Sequence, residues 1–369
     1  MISIGDPTRP DRWMAHRMAL IPVLGDPDAE AASWDDSRFG AFPLAGQQSH
    51  EFLDFLTWHG LTGFWLDWCR RQGLLDSLVP GAAERMQELD RAARASFLLQ
   101  THAMRQITQD FDEREILHLV FKGVATRMEL YRVPHVRSAS DIDLLINRAD
   151  RGVVSEVLKS RGFVLAGDNA SAHEETWQRG SVDIDLHWDV LAPGRTRYAM
   201  VPSLLEGRIR VSAGWRMSDE DTVAMMLLHP AVTKYVCSRH AGLNRVADIV
   251  HFVRHRTMDP ELVAQRIRST GLVGAAWATL TWLDLLLKPW PSNPEQAFLH
   301  SLRESLQLGR LRAAYLRRWI ANDWPGRLEG RADGLVRIGF TLPFHDSLAD
   351  VIRASTSRLG RNAGMGEPR

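Results

Sequence analysis

Cysteine is nearly absent from the sequence: 369 residues hold two, Cys69 and Cys237, far apart and without a Cys-x-x-Cys pair. This argues against a structural zinc site built on thiolates. One long-range disulfide stays open, but two free buried thiols in a reducing cytoplasm is the plainer reading. Net charge is missing too. Lys plus Arg equals Asp plus Glu at 45 each. A neutral chain has no global field to hold a polyanion, which argues against stable binding of long nucleic acid. Long apolar runs are also lacking. Met18 to Leu24 is short and broken by Pro22, so no signal peptide is expected. No window offers the ~18 uncharged apolar residues of a membrane span. The best candidate, Ala275 to Leu287, is short and contains Asp284. The expected location is therefore the cytoplasm, with no membrane partner.

What is present is ordinary globular material. The hydrophobic content of 45% suffices for a sizeable core, and the length suggests two or three domains. Tryptophan is frequent, and the helical spacing of Trp58, Trp65 and Trp68 points to core packing between helices. Residues 1–45, rich in Pro, Asp and Gly and without sustained period, read as a flexible arm. Residues 46–112 read as an N-terminal helical region, with a long helix over about 82–109 carrying the stripe Met86, Leu89, Ala93, Phe97, Met104 and Ile107. Residues 113–216 change period and read as a mixed α/β core. It contains strands at 116–121 and 141–146 and a hairpin, Glu174–Gln178 and Ser181–Trp188, around Arg179-Gly180. Residues 217–358 turn helical again, opening on the capping box Ser218-Asp219-Glu220-Asp221, and 359–369 reads as a tail.

The chemistry gathers in the core. Asp141 and Asp143 are two residues apart on a strand, so both carboxylates share one face with their Cα atoms ~6.5 Å apart. Ile142 and Leu144 anchor the opposite face. The device recurs in Asp183-Ile184-Asp185-Leu186-His187. Adjacent carboxylates repel unless a cation lies between them, and oxygen ligands suit Mg²⁺. If the strands neighbour each other, Asp141, Asp143 and Asp185 could hold two Mg²⁺ ions about 3.5–4 Å apart, the spacing used for in-line displacement at phosphorus. Lys122-Gly123 supplies the complementary half. A strand ends there and a helix begins, Gly123 allows close approach of a phosphate, and Lys122 adds charge. Arg137 and Ser140 precede the strand and are candidates for the same phosphates. A lone Asp-x-Asp is more often a solvated strand end. His187 and His229 read singly as structural. The joint pattern carries more than its parts.

The series Phe121-Lys122-Gly123-Val124-Ala125, Tyr131, Arg137, Asp141-Ile142-Asp143-Leu144-Leu145-Ile146 and Asp185-Leu186-His187-Trp188 resembles the uncharacterised nucleotidyltransferase family of the polymerase-β superfamily. His229 and Asp248 match later positions of that pattern. The resemblance implies an α+β fold: a polymerase-β-like core with a mixed sheet, flanked by N- and C-terminal helical regions. It implies metal carboxylates at Asp141, Asp143 and Asp185, with Mg²⁺ and a nucleoside triphosphate such as ATP. Lys122, Gly123, Arg137 and Ser140 would bind the nucleotide. One departure stands out: most of the superfamily has Gly-Ser at the first turn, where this chain has Lys122-Gly123.

The expected function is transfer of a nucleoside monophosphate to an unidentified acceptor (small molecule, peptide or protein), in a setting such as natural-product or surface-polymer biosynthesis. The alternatives are a non-catalytic nucleotide- or peptide-binding module and a nucleotidylating toxin. If the carboxylates stand unpaired without metal, Asp143→Asn should leave the metal-free fold no less stable.

Overall fold

The computed structural model describes residues 13–24, 43–44, 49–166, 173–234, 236, 242–288, 294–322, 339 and 341–364. The N-terminal part runs through helices α1 (Met14–Ala19), α2 (Ile21–Leu24), α3 (Ser49–Trp58), α4 (Thr62–Arg71) and the long α5 (Ala82–Glu113). The middle contains β1 (His118–Phe121), α6 (Lys122–Leu130), β2 (Asp141–Ile146), α7 (Arg151–Ser160), β3 (Val164–Leu165), β4 (Glu174–Arg179), β5 (Val182–His187), α8 (Val201–Glu206), β6 (Ile209–Val211) and β7 (Gly214–Arg216). The C-terminal part contains α9 (Asp219–Lys234), α10 (Leu243–Arg254), α11 (Pro260–Thr270), α12 (Val273–Leu287), α13 (Pro294–Ser305), α14 (Arg310–Ala321) and α15 (Leu348–Gly364).

Alternation along two strands decides how these pieces stack. The sheet has the order β1-β2-β5-β4-β3, with β2 and β5 parallel and the other neighbours antiparallel. Ile142, Leu144 and Ile146 of β2 join Val182, Ile184 and Leu186 of β5 on one face, packed with Met104, Ile107 and Phe111 of α5 and Val154, Val157 and Leu158 of α7. Side chains alternate across a strand, so Asp141, Asp143, Asp185 and His187 fall on the other face. A second, larger core lies among the helices, around Trp65, Leu227, Val246 and Trp282. The architecture is the α+β fold expected, a mixed five-stranded sheet with helical regions before and after it.

Several local expectations find their physical cause. The Ser218 hydroxyl donates to Asp221 and accepts its backbone N–H, closing the box that starts α9. The apolar run at 275–287 lies in α12, buried nearly all round, with Thr279 donating its hydroxyl to the Leu227 carbonyl. Among the described residues no helix is long and apolar enough to cross a membrane. Cys69 is a buried free thiol pushed up to about 12 by burial, while Cys237 lies outside the described residues.

Two expectations need correction. Residues 13–24 are not a loose arm: Trp13, Leu20 and Val23 enter the helical core. Trp65 Nε1 donates to the Ala19 carbonyl, and Arg17 donates to that of Leu285 at 2.7 Å. Two helices of six and four residues are too short to show a period in sequence. Most of the rest of 1–45, with the last residues of the tail, lies outside the described residues. Tryptophan spacing also misleads at one position. Trp65 is fully buried and Trp68 packs on its edge, but Trp58 is 58% exposed at the end of α3.

Candidate functional site

Strand register brings the acidic residues together. Phe121 pairs with Asp143 across β1 and β2, and Asp143 pairs with Asp185 across β2 and β5. The carboxylates of Asp143 and Asp185 and the imidazole of His187 offer ligand atoms that all lie within 4.8 Å of one another. Asp141, Asp143 and Asp185 line one cleft of about 710 Å³, between the sheet face and helices α9 and α10. Lys122, Gly123, Arg137 and Ser140 line the same cleft.

Lys122 follows the last residue of β1 and has φ of +56°, a left-handed conformation that side-chain-bearing residues seldom adopt. Its ammonium lies 2.6 Å from Asp143 Oδ1. His187 Nε2 lies 2.9 Å from the same oxygen and 3.4 Å from the ammonium. On its other side, His187 Nδ1 is 3.1 Å from Glu174 Oε2. Asp185 Oδ1 accepts the Thr176 hydroxyl at 2.7 Å.

The two carboxylates of β2 are therefore unlike. Burial alone would raise Asp143, but Lys122 and His187 hold it well below the usual carboxylate range. Burial raises Asp141, and the charges of Asp143 and Asp185 push it further. Burial and Lys122 press the His187 imidazole down, yet the carboxylates of Asp143 and Glu174 carry it above its ordinary value. The repulsion expected of the whole cluster is concentrated at Asp141.

Arg137 does not present a free guanidinium to a phosphate. It is buried and bound by a fork to Asp248, at 2.7 Å from Nη2 and 3.2 Å from Nε, while Nη1 donates to the Ser138 carbonyl at 2.6 Å. Tyr131 donates its hydroxyl to the same carboxylate at 2.9 Å. The tie matches Tyr131, Arg137 and Asp248, three positions of the sequence pattern, but its work is to join α10 to the loop before β2. Gly123 is required by the same arginine, since a Cβ there would lie 2.9 Å from Arg137 Nη1 and 3.3 Å from the Ala139 Cβ. Ser140 lies at the cleft beside Asp141, on a loop held by Gln100, whose amide donates to the Ala139 and Ser140 carbonyls. His229 also lines the cleft.

Glu174 and Thr176 escaped the sequence reading. Counting outward from the Gly180 turn pairs Thr176 with Asp185 and Glu174 with His187. The hairpin expected there already contained both contacts.

The group fits a metal ion by its own chemistry: oxygen donors from neighbouring strands, mutually repelling, on a face shielded by helices. A family model described as an uncharacterised nucleotidyltransferase matches residues 45–288 of the chain. Neither the comparison with curated proteins nor that with solved structures returned a match.

Proposed function

The chain belongs to the uncharacterised nucleotidyltransferase family, and from that premise we propose that it is a Mg²⁺-dependent enzyme that moves a nucleoside monophosphate from a triphosphate, ATP foremost, to a hydroxyl-bearing acceptor. The observation that carries the reading is the register pair Asp143–Asp185 with Asp141 beside it, three carboxylates at one cleft. Asp141, Asp143 and Asp185 would hold the metal. Mg²⁺ bound there supplies charge neutralisation at the phosphoryl centre and orients the triphosphate.

The remaining roles belong to the chain itself. Gly123, Ser140 and Lys122 form the rim along which the triphosphate lies, and Arg137 supports that rim from behind through Asp248. Asp185 is oriented by Thr176 at one oxygen and takes the proton of the acceptor hydroxyl. The acceptor oxygen bonds to the α-phosphorus, the bond from that phosphorus to the bridging oxygen breaks, and pyrophosphate leaves. Helices α9 and α10 wall the cleft opposite the sheet. The domain division into an N-terminal helical region (46–112), a core (113–216) and a C-terminal helical region (217–358) is part of the same proposal. The acceptor would be a small molecule, peptide or protein of a biosynthetic process in the cytoplasm.

Pyrophosphate release tests it. The protein is incubated with Mg²⁺, each of the four common triphosphates and extracts supplying acceptors. The expected result is pyrophosphate formed from at least one triphosphate, dependent on Mg²⁺ and abolished in Asp185→Asn. No release from any triphosphate, or release unchanged in Asp185→Asn, rejects the assignment.

A further inference from the structure

The oxygen that a two-ion site would need is already taken. A carboxylate bridges two ions by giving one oxygen to each, and Asp143 is the central carboxylate here, flanked by Asp141 on its own strand and by Asp185 across the ladder. Its Oδ1 already accepts from two nitrogens, Lys122 Nζ at 2.6 Å and His187 Nε2 at 2.9 Å. One oxygen remains. Asp185 is committed in the same way at one oxygen, by the Thr176 hydroxyl.

Charge points the same way. Asp141, Asp143 and Asp185 bring three negative charges, and Lys122 removes one. Arg245 lines the same cleft, so one divalent cation suffices for the charge that remains. Glu174 stands apart from the three aspartates, 3.1 Å from His187 Nδ1.

The ammonium is not there by chance of a flexible side chain. Lys122 is held in the left-handed backbone region, a conformation that persists where the surroundings over-determine it. The side chain is only 28% exposed, and its ammonium stands 4.8 Å from the Phe121 ring centroid as well as against Asp143. The turn where the superfamily pattern has Gly-Ser holds a strained lysine aimed at the middle carboxylate.

We propose that Lys122 is a resident cation in place of a second metal ion, so that the site takes a single divalent cation, held through Asp141, Asp185 and the free oxygen of Asp143. The inference rests on the metal-dependent reading above and narrows it. It also assigns a reason for the Lys122-Gly123 turn: the lysine supplies permanently the charge that a second ion would otherwise bring.

Mn²⁺ is the probe. The full-length protein is titrated with MnCl₂, alone and with inorganic tripolyphosphate, and bound Mn²⁺ is counted and examined by electron paramagnetic resonance. Wild type is expected to hold one Mn²⁺ per chain, with no spectrum of a spin-coupled pair, in both conditions. Lys122→Met is expected to hold two and to show the coupled pair, and Lys122→Arg to keep one. A coupled pair in wild type under either condition overturns the inference while leaving the metal-dependent reading intact. Lys122→Met that folds, as judged by circular dichroism, and still holds one overturns it as well. If Lys122→Met does not fold, the wild-type and Lys122→Arg counts decide alone. Wild type that binds no Mn²⁺ overturns the metal-dependent reading itself, and this inference with it.

Discussion

Asp143 and Asp185 stand directly opposite each other on two parallel neighbouring strands, while Asp183, two register pairs earlier opposite Asp141, is not among the residues lining the cleft. Three aspartates of nearly identical sequence setting are thereby sorted. Asp185→Asn should abolish Mn²⁺ binding and Asp183→Asn should leave it unchanged. Thr176→Val removes the hydroxyl that orients Asp185 and should weaken binding by about tenfold. Isothermal titration of the four proteins checks the order, and equal losses in Asp183→Asn and Asp185→Asn would sink it.

The metal-free protein should respond in opposite ways at the two ends of the Asp-x-Asp. Asp143→Asn strips Lys122 and His187 of a shared buried partner. It should destabilise by about 1–3 kcal/mol, because the lysine can still reach water. Asp141→Asn instead removes the charge that burial and two like neighbours disfavour. It should melt at or above wild type. Calorimetry in EDTA separates them, and a lower melting temperature in Asp141→Asn would be the contrary result. Sequence alone gives Asp143 the behaviour that the structure assigns to Asp141.

Gly123→Ala should destabilise by about 1–3 kcal/mol through overpacking, since the new methyl meets Arg137 Nη1 at 2.9 Å. Ser140→Ala touches the same rim without a clash and should leave the stability within about 0.5 kcal/mol of wild type. Chemical denaturation of both variants provides the comparison.

Acid should weaken the fold through buried imidazoles. Burial pushes His59 and His345 down to about 4. In the unfolded chain each takes up its proton near pH 6.5. Between those values the unfolded state holds more protons, so stability falls as pH drops from about 6.5 toward 4, by up to about 1.4 kcal/mol per unit for each group. His59 lies 4.3 Å from Phe55, ring to ring, and its Nδ1 has no hydrogen-bond partner among the described residues. His59→Phe should flatten that slope by one proton. Urea midpoints at pH 7, 6 and 5 measure it, and an unchanged slope would exclude His59 as a contributor.

How much of this was legible in sequence depends on the range of the interaction. Strand β2 has the expected bounds because Asp141–Ile146 alternates cleanly between an acidic and an apolar face. The hairpin of β4 and β5 was legible from Arg179-Gly180, and the placement of Asp185 beside Asp143 needed only that β5 neighbour β2. Arg137 was misjudged because its partner Asp248 is 111 residues away on a helix whose docking no local pattern announces. The contact of Lys122 with Asp143 was not legible, because the left-handed turn that aims it there leaves no mark in the Lys122-Gly123 pair. Residues 13–24 were missed because their order comes from partners as distant as Leu285.

The tie between Arg137 and Asp248 also sets an order in time. A ribosome delivers β1, β2 and β5 well before α10, so the sheet can form while Arg137 has no counter-charge, and a buried unpaired guanidinium is strongly unfavourable. The loop carrying Ala139 and Ser140 would then stay open until residue 248 has emerged and α10 has docked. A nascent chain stalled anywhere short of that point would carry all three aspartates and still lack the wall that α10 gives the cleft. The cleft is thus incomplete until synthesis has passed well beyond the last of the three carboxylates.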